Sequence, residues 1–145
     1  LLGGITPVGM VPTPLGFLVE ACWMSVGDHV AAVDLDAFVV MPNHLHGVVA
    51  IDGGRRPVSL GTVIRGFKAA ATRDARHVGL LPADSPLWQR GYWEHVVRSP
   101  PDLDRIREYV ETNPARWDLD RENAARTGRD DFDAWVESLA TTTPR

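Results

Sequence analysis

The 145-residue chain has one cysteine, Cys22, which excludes an internal disulfide and suits a reducing compartment such as the cytoplasm. No apolar run approaches the ~20 residues needed to span a bilayer. The first 19 residues carry no charge and no cleavage pattern, so neither a membrane anchor nor a signal peptide is expected. Basic residues are missing from the start: residues 1–52 hold five acids and no Lys or Arg. No internal repeat is visible. The chain opens on Leu1 rather than Met, which leads us to expect that an N-terminal piece is absent.

What remains is enough for one domain with a real core, at an ordinary 44% hydrophobic content. The net charge of −4 argues weakly against a nucleic-acid partner. Its distribution argues the other way, because residues 53–116 hold eleven bases against seven acids, between two acidic flanks. A basic middle binds phosphate through its local field, whatever the total.

Residues 1–12 read as short extended pieces around Gly9. Thr13-Pro14 has the form of an N-cap with Pro at the first helical position. Leu15, Leu18, Val19, Cys22, Trp23 and Val26 then keep helical spacing up to Gly27. Residues 34–41 and 44–51 read as strands punctuated by Pro42-Asn43, and 52–57 as a loop. Ser59 is placed to cap a helix running to about His77, with Val63, Ile64, Phe67, Ala70 and Ala71 buried. Residues 91–98 read as another strand, and Ser99-Pro100-Pro101 starts a helix that Asn113-Pro114 stops. From 118 onward the chain is rich in Asp and Arg. Only 132–139 has the pattern of a short helix there, and the last five residues are expected to fray. Helices and strands without strict alternation indicate an α+β class with an antiparallel sheet.

Within "VVMPNHLHGVVAI", residues 39–51, His44 and His46 lie two apart on a strand. Side chains alternate there, so both imidazoles face one way, roughly 6–7 Å apart along the backbone, and can reach one metal ion. The structural alternative is a half-buried pair bonded to carbonyls. Cupin, histidine-triad and zinc-finger patterns each need a further ligand that is missing at the required spacing, so a third ligand must come from elsewhere. In "DLDRIREYVETNP", residues 102–114, Leu103, Ile106 and Val110 form the core stripe. Tyr109 and Asn113 project from one face, one turn apart. They pair a phenol nucleophile with an amide oxygen able to ligate a metal. Taken alone, the segment fits as well a boundary tyrosine and a C-cap.

Together with "GTVIRGFKAAATR" and "LWQRGYWEHVVRSPPDLDRIREYVETNPARW", these segments resemble the single-tyrosine HUH transposases, and among them the REP-associated tyrosine transposases. The resemblance covers about residues 15–117. It implies a ferredoxin-like antiparallel sheet with helices on one face. It implies a nuclease domain over 1–117, followed by a polar tail, 118–145, partly helical or disordered. His44, His46 and Asn113 would hold a divalent metal, and Tyr109 would be the nucleophile. The implied activity is cleavage and rejoining of single-stranded DNA near a hairpin, leaving a 5′-phosphotyrosine and a free 3′-hydroxyl. The implied setting is cytoplasmic, as a monomer or homodimer. Members usually carry another strand before the segment matching Leu1, so a truncated chain is expected.

A mixed nitrogen–oxygen site suits Mn²⁺, or Mg²⁺ where waters complete the shell. On the 59–77 helix Arg65, Lys68, Arg73 and Arg76 fall within an arc of about 140°, a stripe suited to phosphate or merely to solvent. Trp88, Arg90, Tyr92 and Trp93 offer surfaces for stacking unpaired bases, although at least one tryptophan is expected in the core. His95 reads as structural. Two other functions compete: an inactive or domesticated relic that binds hairpin DNA without cutting, and a small metallohydrolase using only the histidine pair. The missing third His or acid speaks against the latter.

Overall fold

A computed structural model describes residues 1–54 and 56–141. Position 55 of the expected 52–57 loop, and all but the first of the five residues expected to fray, lie outside it. Among the described residues the chain is α+β, with two separate two-stranded antiparallel sheets. Strands β1 (Gly3–Thr6) and β2 (Gly9–Pro12) form a hairpin with Thr6 opposite Gly9. Gly9, at φ 111°, takes a backbone conformation that costs only glycine little. Leu2 donates its N–H to the Pro42 carbonyl at 2.7 Å, which moors the hairpin beside the next sheet.

Helix α1 (Pro14–Met24) is capped as expected, the Thr13 hydroxyl accepting the Gly16 N–H at 3.2 Å. It ends before Gly27, contrary to expectation. Ser25 donates its hydroxyl to the Cys22 carbonyl at 2.9 Å, competing with the helical ladder, and Gly27 falls inside a one-turn helix, α2 (Val26–His29). Strands β3 (Val33–Val40) and β4 (Leu45–Ile51) pair from Val33 opposite Ile51 to Val40 opposite Leu45. A bulge between Leu35 and Phe38 breaks that register. Helix α3 (Leu60–His77) starts at Ser59, whose hydroxyl accepts the Thr62 N–H at 3.1 Å. Helix α4 (Pro100–Thr112) starts at Ser99, a 3₁₀ turn spans Asn113–Leu119, and α5 (Asp131–Thr141) contains the helix expected over 132–139. Among the described residues no helix is long and apolar enough to cross a membrane.

Helices cover both faces of β3–β4, not one. On the first face Leu45, Val49 and Ile51 pack against the core of Val19 and Trp23 from α1 and Val63, Phe67 and Ala71 from α3. Alternation turns His46 to the second face, where α4 lies. Each face carries partly buried side chains, and a single helical layer would leave one of them to water.

A second correction concerns residues 91–98, which form no strand and are mostly exposed. The Lys68 ammonium donates to the Gln89 and Gly91 carbonyls at 3.2 and 2.7 Å. This draws the segment onto α3 before it can line a sheet edge. Trp88 packs on Phe67 with ring centres 5.3 Å apart and is partly buried against the core, whereas Trp93 is 48% exposed.

Helix α4 is clasped to the bulge of β3. Arg107 Nε and Nη2 donate to the two carboxylate oxygens of Asp36 at 2.8 and 2.6 Å. That bidentate bond and the Ala37 N–H hold the Asp36 carboxyl down at about 2. A depressed carboxyl stabilises the fold fully above its ordinary value of 3.8, and this contribution disappears as pH falls through about 2. The urea midpoint of Asp36→Asn is therefore expected below that of the parent at pH 6 and level with it near pH 2. A gap unchanged across that window would mean the clasp does nothing for stability.

Candidate metal and tyrosine site

The turn between β3 and β4 builds the first part of the site. The Met41 N–H donates to the His44 carbonyl at 2.8 Å, which places His44 one residue before β4 and His46 on it. The Nε2 atoms of His44 and His46 stand 2.9 Å apart, with the rings edge to face. Two nitrogens at ~2.0–2.1 Å from one ion are separated by that distance when they subtend roughly a right angle. Asn43 sets the tautomer: its Oδ1 lies 2.8 Å from His44 Nδ1, which keeps that nitrogen as donor and leaves the Nε2 lone pair free. The Asn43 amide donates to the Glu122 carbonyl at 2.8 Å and fastens this turn to the loop after the 3₁₀ turn. Burial pushes His44 down to about 4 and His46 to about 3, the latter helped by the neighbouring His44. Both rings are therefore neutral at ordinary pH, the form that binds metal.

That loop supplies an acid. Asp120 is 4% exposed, and its Oδ2 lies 3.5 Å from His44 Nε2. His44, His46 and Asp120 can each offer a ligand atom, all within 4.8 Å of one another, and could hold a metal ion. Burial raises the Asp120 carboxyl, with the Asp133 and Asp130 charges, against the opposing Glu122 N–H. Among the described residues, its Oδ2 and the Oδ1 of Asn113 are buried without a hydrogen-bond partner. The unpaired Asp120 Oδ2 beside two neutral imidazoles fits a cation, so the set of His44, His46 and Asp120 passes this test.

Tyr109 reaches the site from α4, its ring centre 5.2 Å from that of His46. Asn113, at the end of α4 with helical angles, keeps the expected one-turn spacing, and its amide favours the ionised phenol. Other influences oppose ionisation. Burial, then the Asp133 charge, then the hydrogen bond that the phenol donates to Asp133 Oδ1 at 2.9 Å, hold the phenol well above its usual range. Phe132 lies flat on the Tyr109 ring, centres 4.3 Å and planes 11° apart.

An uncharacterized protein of Haemophilus influenzae is 32% identical to the chain over an alignment of 140 residues, which takes in 83% of this chain and 76% of that one. The chain belongs to its family. No protein-family model matches the chain. No solved structure matches it either.

In this member of that family, the remaining residues singled out in the sequence lie elsewhere. Arg65, Lys68, Arg73, Arg76 and Trp88 line an open hollow of about 680 Å³ on α3, the helix that packs on the first face of β3–β4. Most of these bases are engaged: Lys68 as above, Arg73 with Asp74 at 2.8 Å, and Arg76 with the Ser85 carbonyl at 3.2 Å. Arg90 and Tyr92 are exposed on the segment that follows. His95 stacks on Trp93 without a sheet to share. Asn43, Asp120, Asp133 and Phe132 were missed. Only Asn43 carried a signal, as the polar residue of the turn. The other three sit in the acidic stretch read as a tail, whose charges gave no hint that they fold back.

Proposed function

We propose that this chain is a metal-dependent single-stranded DNA endonuclease and strand transferase of the single-tyrosine HUH kind, with a sheet of ferredoxin-like ancestry. It acts near a hairpin through a 5′-phosphotyrosine. One observation carries the reading: the paired imidazoles at the start of β4 and the lone phenol of α4 converge on one face, with an acid beside them. His44, His46 and Asp120, with Asn113 adjoining, would hold a divalent ion such as Mn²⁺ or Mg²⁺. When bound, that ion supplies Lewis-acid polarisation of the scissile phosphate.

The chain's own residues do the rest. Asp133, already accepting the phenolic hydrogen bond, takes the proton as the Tyr109 oxygen attacks phosphorus. The bond to the 3′-oxygen breaks and that oxygen takes up one proton from solvent, while Asp133 releases the phenolic proton to solvent, so the proton count is unchanged. The phosphotyrosine keeps the bond energy, and a 3′-hydroxyl reverses the step without ATP. Because Phe132 covers the phenol, a DNA backbone reaches Tyr109 only after that ring has moved.

The same cover favours a second reading, in which the protein grips hairpin DNA and does not cut it: Tyr109 is 8% exposed and held as a neutral phenol. One assay decides. The protein is incubated with labelled single-stranded hairpin DNA and Mn²⁺, and a denaturing gel is read for a covalent adduct. We expect an adduct that Tyr109→Phe abolishes while hairpin binding survives. An adduct that persists in Tyr109→Phe moves the nucleophile elsewhere. Binding without any adduct selects the second reading, and neither binding nor adduct removes both.

A further inference from the structure

Arg116 lies in the 3₁₀ turn after α4, its guanidinium carbon 5.1 Å from the Tyr109 ring centre and 5.2 Å from that of Phe132. Nη1 meets Asp130 Oδ1 at 3.2 Å. Nε and Nη2 are buried and have no hydrogen-bond partner among the described residues. These two N–H groups point the same way and form the bidentate edge of a guanidinium, the edge with which Arg107 clasps Asp36. A buried charged donor left unpaired costs more than a neutral one, and here two stand together beside the candidate nucleophile. Nearby orphaned acceptors suit a cation, whereas this fork suits a planar or tetrahedral oxyanion.

We propose that the Nε/Nη2 edge of Arg116 receives the two non-bridging oxygens of the phosphodiester that Tyr109 attacks. The proposal rests on the nuclease reading above and adds a catalytic residue to it. Arg116 transfers no proton. It orients the phosphate for in-line attack by Tyr109 and meets the negative charge that grows on the phosphoryl oxygens. The Asp130 ion pair fixes the guanidinium so that the fork is preset.

The test is single-turnover adduct formation on hairpin DNA with Mn²⁺, with thermal melts to select folded variants. Loss of one charge-stabilising donor costs ~10²–10³ in rate. Arg116→Gln is therefore expected to be slower by about 100-fold or more, with Arg116→Lys between it and the parent. Free guanidinium ion is expected to restore part of the rate to Arg116→Gly, which a merely structural role would not allow. Asp130→Asn, which removes the ion pair that presets the fork, is expected to be slowed, but less than Arg116→Gln. A Tyr109-dependent adduct formed by Arg116→Gln at the parent's rate overturns the proposal and leaves the nuclease reading standing. If the parent forms no adduct, that reading falls, and hairpin binding judges the fork. A salt slope reduced by about one in Arg116→Gln upholds the phosphate contact, and an unchanged slope removes it.

Discussion

Mn²⁺ affinity is expected to fall by more than ~100-fold when His46 is replaced by alanine. Loss of groups that only orient metal ligands already costs about 10–100-fold. Here one of the proposed ligands goes, and with it the 2.9 Å nitrogen pair. Adduct formation is expected to fall with it at fixed Mn²⁺, and isothermal titration separates the loss of metal from any loss of fold. The metal-free protein gives an independent readout. His46 is held at about 3 against an ordinary 6.5. Between those values the unfolded chain takes up a proton that the folded one refuses, so acidification drives unfolding. Parent stability is therefore expected to decline as pH drops below 6.5, and His46→Ala to decline less steeply. Unaltered Mn²⁺ affinity in His46→Ala would place the metal site elsewhere.

The second large effect is on folding. Trp23 is 2% exposed, meets Phe67 edge to face with centres 5.1 Å apart, and lies over Gly47 of β4. Trp23→Ala is expected to cost about 3 kcal/mol, the low end of the usual ~3–5 for a buried aromatic. The low end applies because its indole N–H is buried without an acceptor, and that penalty leaves with it. At ~2–4 °C per kcal/mol, a melt should fall by roughly 6–12 °C. Gly47 is coupled to it: a Cβ there would come within 2.4 Å of the indole. Gly47→Ala should thus cost ~1–3 kcal/mol alone and much less in a Trp23→Leu background. Additive losses would show that the two do not press on each other. Because Gly47 faces away from His46, metal affinity in Trp23→Ala should stay within about 10-fold of the parent.

Much of the frame could be read from the chain because its signals are local. Thr13, Ser59 and Ser99 each stand before a helical stripe, and each caps the helix expected of it. Cap, stripe and turn are properties of four to eight neighbouring residues, so no distant partner can rewrite them cheaply. The failures have the same origin. Residues 91–98 alternate like a strand, yet a strand exists only where another edge accepts its ladder, and Lys68 holds this segment against α3 instead.

Alternation along the β4 stretch puts His44 and His46 on one face, and one helical turn puts Tyr109 and Asn113 on one face of α4; the resemblance, not the spacing, is what gave the four a shared role. What the sequence alone determined is therefore which groups share a face. Which faces meet was decided by tertiary structure: Asp120 beside His44, Asp133 on the phenol, and Phe132 and Arg116 against its ring. The physical reason is range. Asn43 binds the Glu122 carbonyl 79 residues away, and such a contact depends on how whole elements pack to bury their apolar surfaces, which no local pattern encodes.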